Sequence, residues 1–245
     1  MLILALDTTS RAGSLAVVRD GELVHEMSGD PALTHGQRLP LDFARACEAA
    51  GVALRDIELF AVAAGPGSFT GLRVGIAAVQ GLAMALDRRV VPVSTLEAVA
   101  ATASGTDRSV AAWVDAQRGE VFAQLFKADR GPGTRDVTGA RPLDAAGAWP
   151  PISATPEAVL AAWRENVPLE TVTFLGDGAV RYADRIRAVL GPDARIADAA
   201  VRLAGVIGML AANEPHRAVL PHAIVPIYVR RSDAELARAR RESSA

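Results

Sequence analysis

Leu2-Ile3-Leu4-Ala5-Leu6-Asp7, Ser14-Leu15-Ala16-Val17-Val18-Arg19 and Glu22-Leu23-Val24-His25-Glu26 stand at the head of the chain, the last two joined by Asp20-Gly21. Asp-Gly is a strong two-residue hairpin signal, because both residues tolerate the positive φ of a turn that matches strand twist. Three antiparallel strands are therefore predicted. Downstream, Thr34 is placed to cap a helix ending near Ala50, with Leu39, Phe43, Cys47 and Ala50 along one face and Gly51 as its stop. Pro40 must kink that helix or delay its start, since it lacks an N–H and its ring collides with the preceding turn. Ile57 to Ala64 is a continuous apolar run, the pattern of a strand buried on both faces. After the turn Gly65-Pro66-Gly67, a helix from Phe69 to Leu86 leads to a strand from Val90 to Val93.

The order β-β-β-α-β-α-β is that of a ribonuclease H-like lobe, three antiparallel strands extended by parallel ones through helical crossovers. The second half repeats it in degraded form. Val110 to Val114 and Val121 to Phe126 flank Arg118-Gly119 as a hairpin, and Gly131 to Pro151 reads as loop with one edge strand. Helix Pro156 to Asn166, strand Thr171 to Leu175, helix Ala179 to Leu190 and helix Ala199 to Asn213 follow. The expectation is an α/β protein of two similar lobes, residues 1–100 and 101–215. A tail, residues 216–245, carries Pro226-Ile227-Tyr228-Val229-Arg230 and a charged helix from Asp233 to Arg241 back toward the first lobe.

Composition bounds the function classes. The chain has 245 residues, half of them hydrophobic but only 4% aromatic. Its apolar content is therefore Ala, Val and Leu, which favours closely packed helices. A formal net charge of −2 argues against gripping nucleic acid by bulk electrostatics. Lys127 is the sole lysine, a bias toward Arg that carries no function. Cys47 is the sole cysteine, so an internal disulfide, a Cys-based zinc site and a Cys-x-x-Cys pair are all excluded. The N-terminal apolar run has no basic flank and meets Asp7 at once, and Val74 to Leu86 is too short to span a bilayer. A cytoplasmic protein without membrane association is expected.

Two loops end strands where ligands bind in α/β folds. Gly65-Pro66-Gly67-Ser68-Phe69-Thr70-Gly71-Leu72-Arg73-Val74-Gly75 lacks the Lys of a phosphate-binding P-loop and the third Gly of a dinucleotide loop; Pro66 and Thr70 break the nucleophile-elbow pattern around Ser68. It is either a structural turn with Ser68 or Thr70 as N-cap, or an anion site at a helix N-terminus. In the helix behind it, Gly71, Gly75 and Ala78 form a stripe of small residues, although each interior Gly costs about 1 kcal/mol relative to Ala. That stripe either packs on its own sheet or meets a partner protein, with Ile76, Val79 and Leu82 to Leu86 supplying apolar surface. Asp7-Thr8-Thr9-Ser10 is the second loop, and it sits where ATP-binding relatives of such folds carry Asp-x-Gly-x-Thr. Thr9 replaces the Gly, which restricts the backbone, so the loop reads as a vestigial nucleotide site. Gly176-Asp177-Gly178 is a turn where such folds approach adenosine. His25, His35, His216 and His222 form no i, i+4 pair, so no metal site is expected. Asp115 and Glu120 are the remaining candidate carboxylate pair, and the Arg-rich tail reads as a solvated helix face.

Together, Leu4-Ala5-Leu6-Asp7-Thr8-Thr9, the Gly65 to Gly75 run and Pro226 to Arg230 make the chain resemble the bacterial TsaB (YeaZ) family of tRNA threonylcarbamoyladenosine biosynthesis proteins. The resemblance implies the two-lobed fold of the actin, heat-shock chaperone and sugar-kinase (ASKHA) superfamily. It also implies a part in transferring a threonylcarbamoyl group to adenosine 37 of tRNA. The family's catalytic paralogue, TsaD, carries a His-x-x-x-His metal pair where this chain has Thr95 and Val99, so the resemblance implies a non-catalytic subunit without a cofactor. A nucleotide at the partner interface stays open. The implied partners are TsaD, the ATPase TsaE, a second copy of the chain when alone, and tRNA only through the complex. The implied interface is the first two helices, through Leu39, Phe43, Gly71, Leu72, Gly75, Ile76, Ala78 and Val79. An ATP-dependent kinase or phosphatase of the same fold is the alternative; a peptidase lacks any supporting Ser-His-Asp set.

Overall fold

A computed structural model describes residues 1–103, 109–128, 140–142, 150–165, 167–197 and 202–230. Strands β1 (Leu2–Asp7), β2 (Ser14–Arg19) and β3 (Glu22–Ser28) precede helix α1 (His35–Ala49), β4 (Leu59–Gly65), α2 (Phe69–Ala85) and β5 (Arg89–Ser94). They form one sheet in the order β3-β2-β1-β4-β5, with β1 antiparallel to β2 and parallel to β4. Asp20 and Gly21 turn the β2–β3 hairpin at φ 52° and 83°, which is what the dipeptide predicts. Helix α1 begins at His35 with Pro40 inside it, so Pro40 does not delay its start.

Helix α3 (Thr95–Ala101) leads into the second half, where β6 (Val110–Asp115), β7 (Val121–Ala128), β8 (Ala140–Pro142) and β9 (Ile152–Ala154) are followed by α4 (Pro156–Arg164) and β10 (Thr173–Leu175). Then come α5 (Asp177–Arg181), α6 (Ala183–Leu190), β11 (Arg195–Ile196) and α7 (Ala204–Asn213). The second sheet runs β11-β10-β6-β7-β8, and its pairing pattern repeats the first: antiparallel β6–β7, parallel β6–β10 and β10–β11. This is the two-lobed α/β architecture expected from the sequence, with a degraded second lobe whose strands β8, β10 and β11 have only two or three residues.

Several expected elements shift. A 3-10 turn, Leu54–Asp56, takes the approach to β4, which starts at Leu59 rather than Ile57. The helix expected from Ala179 to Leu190 is two helices broken at Tyr182. Helix α7 begins at Ala204, and residues 198–201 and the expected helix from Asp233 to Arg241 lie outside the described residues. So does most of Gly131 to Pro151.

The lobes exchange helices. Helix α7 packs on β1 and β2 of the first sheet, while α3 packs on β6 and β7 of the second. Alternation in β1 shows the consequence: Ile3 and Ala5 join the core shared with α7, and Leu2, Leu4 and Leu6 face the core under α1 and α2. A strand covered on both sides has no polar face, which explains its unbroken apolar run. Small side chains make the exchange possible. A Cβ on Gly208 of α7 would stand 2.7 Å from Val18 Cγ2 and 3.2 Å from Ala5 Cβ, so the helix rests directly on the sheet. Among the described residues no helix is long and apolar enough to cross a membrane.

After α7 the chain straps the first lobe. Arg217 ion-pairs with Glu97 at 2.7 Å and Glu214 at 2.9 Å, and Val219 bridges the β5 edge at Val90. The Ile227 amide then donates to the Ala64 carbonyl at 2.7 Å. Tyr228 packs on Phe69 with ring centroids 5.3 Å apart, and Arg230 crosses to Glu120 of the second lobe at 3.1 Å.

Candidate functional site

Asp7 closes β1 as a buried carboxyl, its Oδ1 accepting from the Thr9 amide at 2.8 Å and the Thr9 hydroxyl at 2.6 Å. Burial pushes its pKa above the ordinary carboxylate range; the Thr9 bonds oppose this, and the nearby Asp177 and Glu26 add to it. Thr8 is wholly buried, and its Oγ1 has no hydrogen-bond partner. That hydroxyl points at α2. A Cβ on Gly75 would stand 2.1 Å from Thr8 Oγ1, and one on Gly71 would stand 2.1 Å from the Thr8 carbonyl oxygen. The small-residue stripe therefore admits the β1 loop of its own chain.

The Gly-rich turn is locked in the same way. Gly67 lies where a Cβ would be 2.6 Å from Thr9 Cβ, and the Ser68 amide donates to the Thr9 carbonyl at 3.1 Å. The Ser68 side chain caps α2 by accepting from the Gly71 amide at 3.3 Å. Of the two readings of this turn, the structural one with Ser68 as N-cap holds.

Nucleotide binding can be tested on these contacts. A polyphosphate needs free amide donors at strand ends and helix N-termini. Beside Asp7, paired Ser14 accepts from the Leu203 and Ala204 amides at 3.2 and 3.0 Å, and the Glu26 carboxylate accepts from the Gly205 amide at 2.7 Å. The N-terminus of α7 is thus served by the first lobe. The C-terminal end of β4, where ligands sit in open α/β sheets, is covered by the tail: a Cβ on Gly65 would be 2.6 Å from the Ile227 carbonyl oxygen. Asp7, Thr8, Thr9 and Ser10 do not fit ATP, and no chemical step runs through it here.

The other candidates resolve into structural networks. Asp115 accepts from the Gln117 amide at 3.1 Å and the Tyr182 hydroxyl at 3.2 Å, while Glu120 holds Ser153 and Arg230. Asp177 of the Gly176-Asp177-Gly178 turn accepts from the Asp115 amide at 3.0 Å. Thr95 and Val99 lie on α3, buried in the core shared by the lobes, and offer no metal ligand. Among the described residues no cluster of His, Cys, Asp and Glu is arranged to hold a metal ion.

The expected interface residues need correcting. Leu39, Phe43, Gly71, Leu72, Gly75, Ile76 and Val79 are buried within the first lobe, and only Ala78 is half-buried. Amphipathic helices turn their larger apolar residues inward, so residues picked for apolar character are core. The sides of the same helices that reach solvent carry Leu41 at 53% and Met84 at 65% exposure, with Ala44, Ala77 and Gly81 around them. A groove of ≈ 560 Å³ between Pro40, Phe43, Ala44, Val52, Leu54 and Leu82 opens on this surface, with Glu48 also in its lining and Arg45 of α1 exposed as well. From Val74 to Leu86 the sequence has no charged residue, exposed positions included. An exposed helix side in a soluble domain is ordinarily charged or polar. That missing charge was the available sequence signal.

Comparison with known proteins places this geometry. The sequence profile of the family described as "TsaD: tRNA N6-adenosine threonylcarbamoyltransferase" matches residues 31–238. A Bacillus subtilis protein named tRNA threonylcarbamoyladenosine biosynthesis protein TsaB is 27% identical over 237 residues, 96% of each chain. The Escherichia coli protein of the same name is 38% identical over 132 residues, covering 53% of this chain and 56% of that one, so this match spans about half of either. A Pseudomonas aeruginosa structure described as similar to peptidase YEAZ superposes with a TM-score of 0.73 at 28% identity, over 94% of this chain and 99% of that one.

Proposed function

The chain belongs to the threonylcarbamoyltransferase family and within it to the TsaB (YeaZ) type, and from that membership we propose that it is a non-catalytic subunit of tRNA threonylcarbamoyladenosine biosynthesis. It docks the catalytic TsaD-type subunit through the solvent sides of α1 and α2. That subunit transfers the threonylcarbamoyl group to adenosine 37, and a TsaE-type ATPase completes the machinery. The same surface pairs two copies of the chain when the catalytic subunit is absent.

The observation that carries this reading is the uncharged outer side of α2, with Ala77, Gly81 and Met84, beside the exposed Leu41 and Ala44 of α1, where Arg45 and Glu48 form a charged rim. Small residues at Ala77 and Gly81 let a partner helix approach closely, and the groove beside Pro40 and Leu82 receives a bulky side chain. Thr95 and Val99 supply no imidazole, and the Asp7 loop is closed against nucleotide, so neither chemistry of the relatives is supported here. A net charge of −2 suits a subunit that reaches tRNA only through its complex.

Co-elution with the TsaD-type subunit tests the reading. The double variant Ala77→Arg/Met84→Glu replaces exposed side chains and should keep the melting temperature of the parent chain while losing the complex. A complex that survives both charges overturns docking through these helices.

A further inference from the structure

The N-terminal half of α1 is fastened to the β1–β2 loop by charged groups rather than by apolar packing. Arg38 and Asp42 are 3% and 4% exposed and form an i, i+4 ion pair. Arg38 also donates through Nη2 to the Ala12 carbonyl. Its guanidinium passes directly over Gly29, where any Cβ would overlap it, and its Nε has no partner. His35 completes the set: Nδ1 lies 2.8 Å from Arg38 Nη2, and Nε2 lies 3.1 Å from the Ser10 carbonyl oxygen.

These contacts fix the proton on the ring. A guanidinium only donates, so His35 Nδ1 must present its lone pair; a carbonyl only accepts, so Nε2 must carry the hydrogen. The ring is the neutral Nε2–H tautomer. A second proton would have to sit on Nδ1, donor facing donor across 2.8 Å, beside a charge that is already positive. Burying an ion pair costs desolvation that an apolar pair avoids. What the polar set supplies is direction: Arg38 and His35 tie α1 to two particular carbonyls of the loop, those of Ala12 and Ser10, while the bonds from Arg38 to Asp42 and His35 hold the set together.

We propose that His35, Arg38 and Asp42 form a proton-sensitive clasp that positions α1, and with it the docking surface, on the β1–β2 loop. The consequence for docking rests on the function proposed above; the clasp itself does not. The groups acting on the ring are Arg38, which opposes its charging, and the Asp42 carboxylate and Ser10 carbonyl, which favour it. Arg11 and Asp30 on the neighbouring loops are engaged elsewhere, with the Pro31 carbonyl and the Ala32 amide. Burial first and Arg38 second hold the ring below its ordinary pKa. A histidine depressed in the closed state binds its proton better when the clasp is open, so the clasp is intact at neutral pH and weakens as pH falls below about 6.5.

Nitrogen NMR of the imidazoles in the full chain, with His35→Gln assigning the signal, measures the clasp directly. The expected result is an Nε2–H tautomer at neutral pH that titrates below about 6.5. Amide exchange in the first turn of α1, corrected for intrinsic rates, should rise about tenfold for each unit by which closure lowers the ring's pKa. In His35→Gln, which keeps a donor and an acceptor but does not titrate, exchange and affinity for the catalytic subunit should lose this dependence. An Nδ1–H tautomer, titration at the ordinary value, or an unaltered pH dependence in His35→Gln would overturn the clasp. Should His35→Gln fail to fold, the wild-type titration and exchange data still decide. Absence of complex at every pH overturns the docking reading instead, and the clasp is then upheld or overturned by the ring and exchange results.

Discussion

Gly75 shows how far spacing alone can be read. The Gly71, Gly75 and Ala78 stripe announces that something approaches α2 closely, and something does. The neighbour is Thr8, 67 positions earlier (75 − 8), and no local pattern reveals that pairing. Gly75→Ala should lower stability by about 1–3 kcal/mol, since an added methyl must displace Thr8 Oγ1 in a closed site. Adding Thr8→Ala should recover most of the loss, a coupling that urea denaturation of both single variants and the double variant would read. Asp7 gives the other prediction at this scale. Its pKa is raised in the folded chain, so between the unfolded and folded values the folded state holds the extra proton and stability falls as pH rises. Asp7→Asn can keep both bonds from Thr9 on its oxygen. It should flatten that slope and leave stability at neutral pH equal to within about 1 kcal/mol, or higher. A large loss on thermal unfolding would show that the ionised carboxylate is needed.

Elements differ in how plainly they were written. The β2–β3 hairpin was legible because Asp20 and Gly21 favour its turn, and α2 because Ser68 caps a long apolar helix. Helix α3 went unread: its residues are buried by the opposite lobe, so no polar face marks it as a surface helix. Strands β9 and β11 are too short to carry a period of two, whereas β8 is an edge strand within Gly131 to Pro151, where one was expected. The sequence named the two helices of the proposed docking surface, but not most of the residues that face solvent on them. Leu39, Phe43, Leu72, Ile76 and Val79 were expected as contacts and are core, while the exposed Ala77 and Gly81 were not singled out. The tail's return toward the first lobe was expected from the sequence, but its contacts could not be read, since Arg217 finds Glu97 across 120 positions. Arg217→Ala removes bonds of 2.7 and 3.0 Å to Glu97 and 2.9 Å to Glu214, leaving two carboxylates without their shared cation. It should cost about 1–3 kcal/mol by denaturant unfolding and raise amide exchange at Val90, the strap's bridge to β5. Unchanged exchange at Val90 would mean the strap is held by its other contacts.

At the scale of the whole molecule, the polar groups at the strand ends and helix N-termini are turned inward. Ser68, Glu26 and Ser14 occupy the helix N-termini, Thr9 fills the space beside Gly67, and the tail covers the end of β4. The uncharged side of α2 remains facing out, beside Leu41 and Ala44 of α1. The most direct test of that account is nucleoside mass spectrometry of bulk tRNA from cells whose only copy of this chain is either wild type or Ala77→Arg/Met84→Glu. With equal amounts of soluble chain in both strains, threonylcarbamoyladenosine should persist with the wild type and fall to the level of depleted cells with the variant. Wild-type content of the modified nucleoside in the variant strain would contradict a role exerted through this surface.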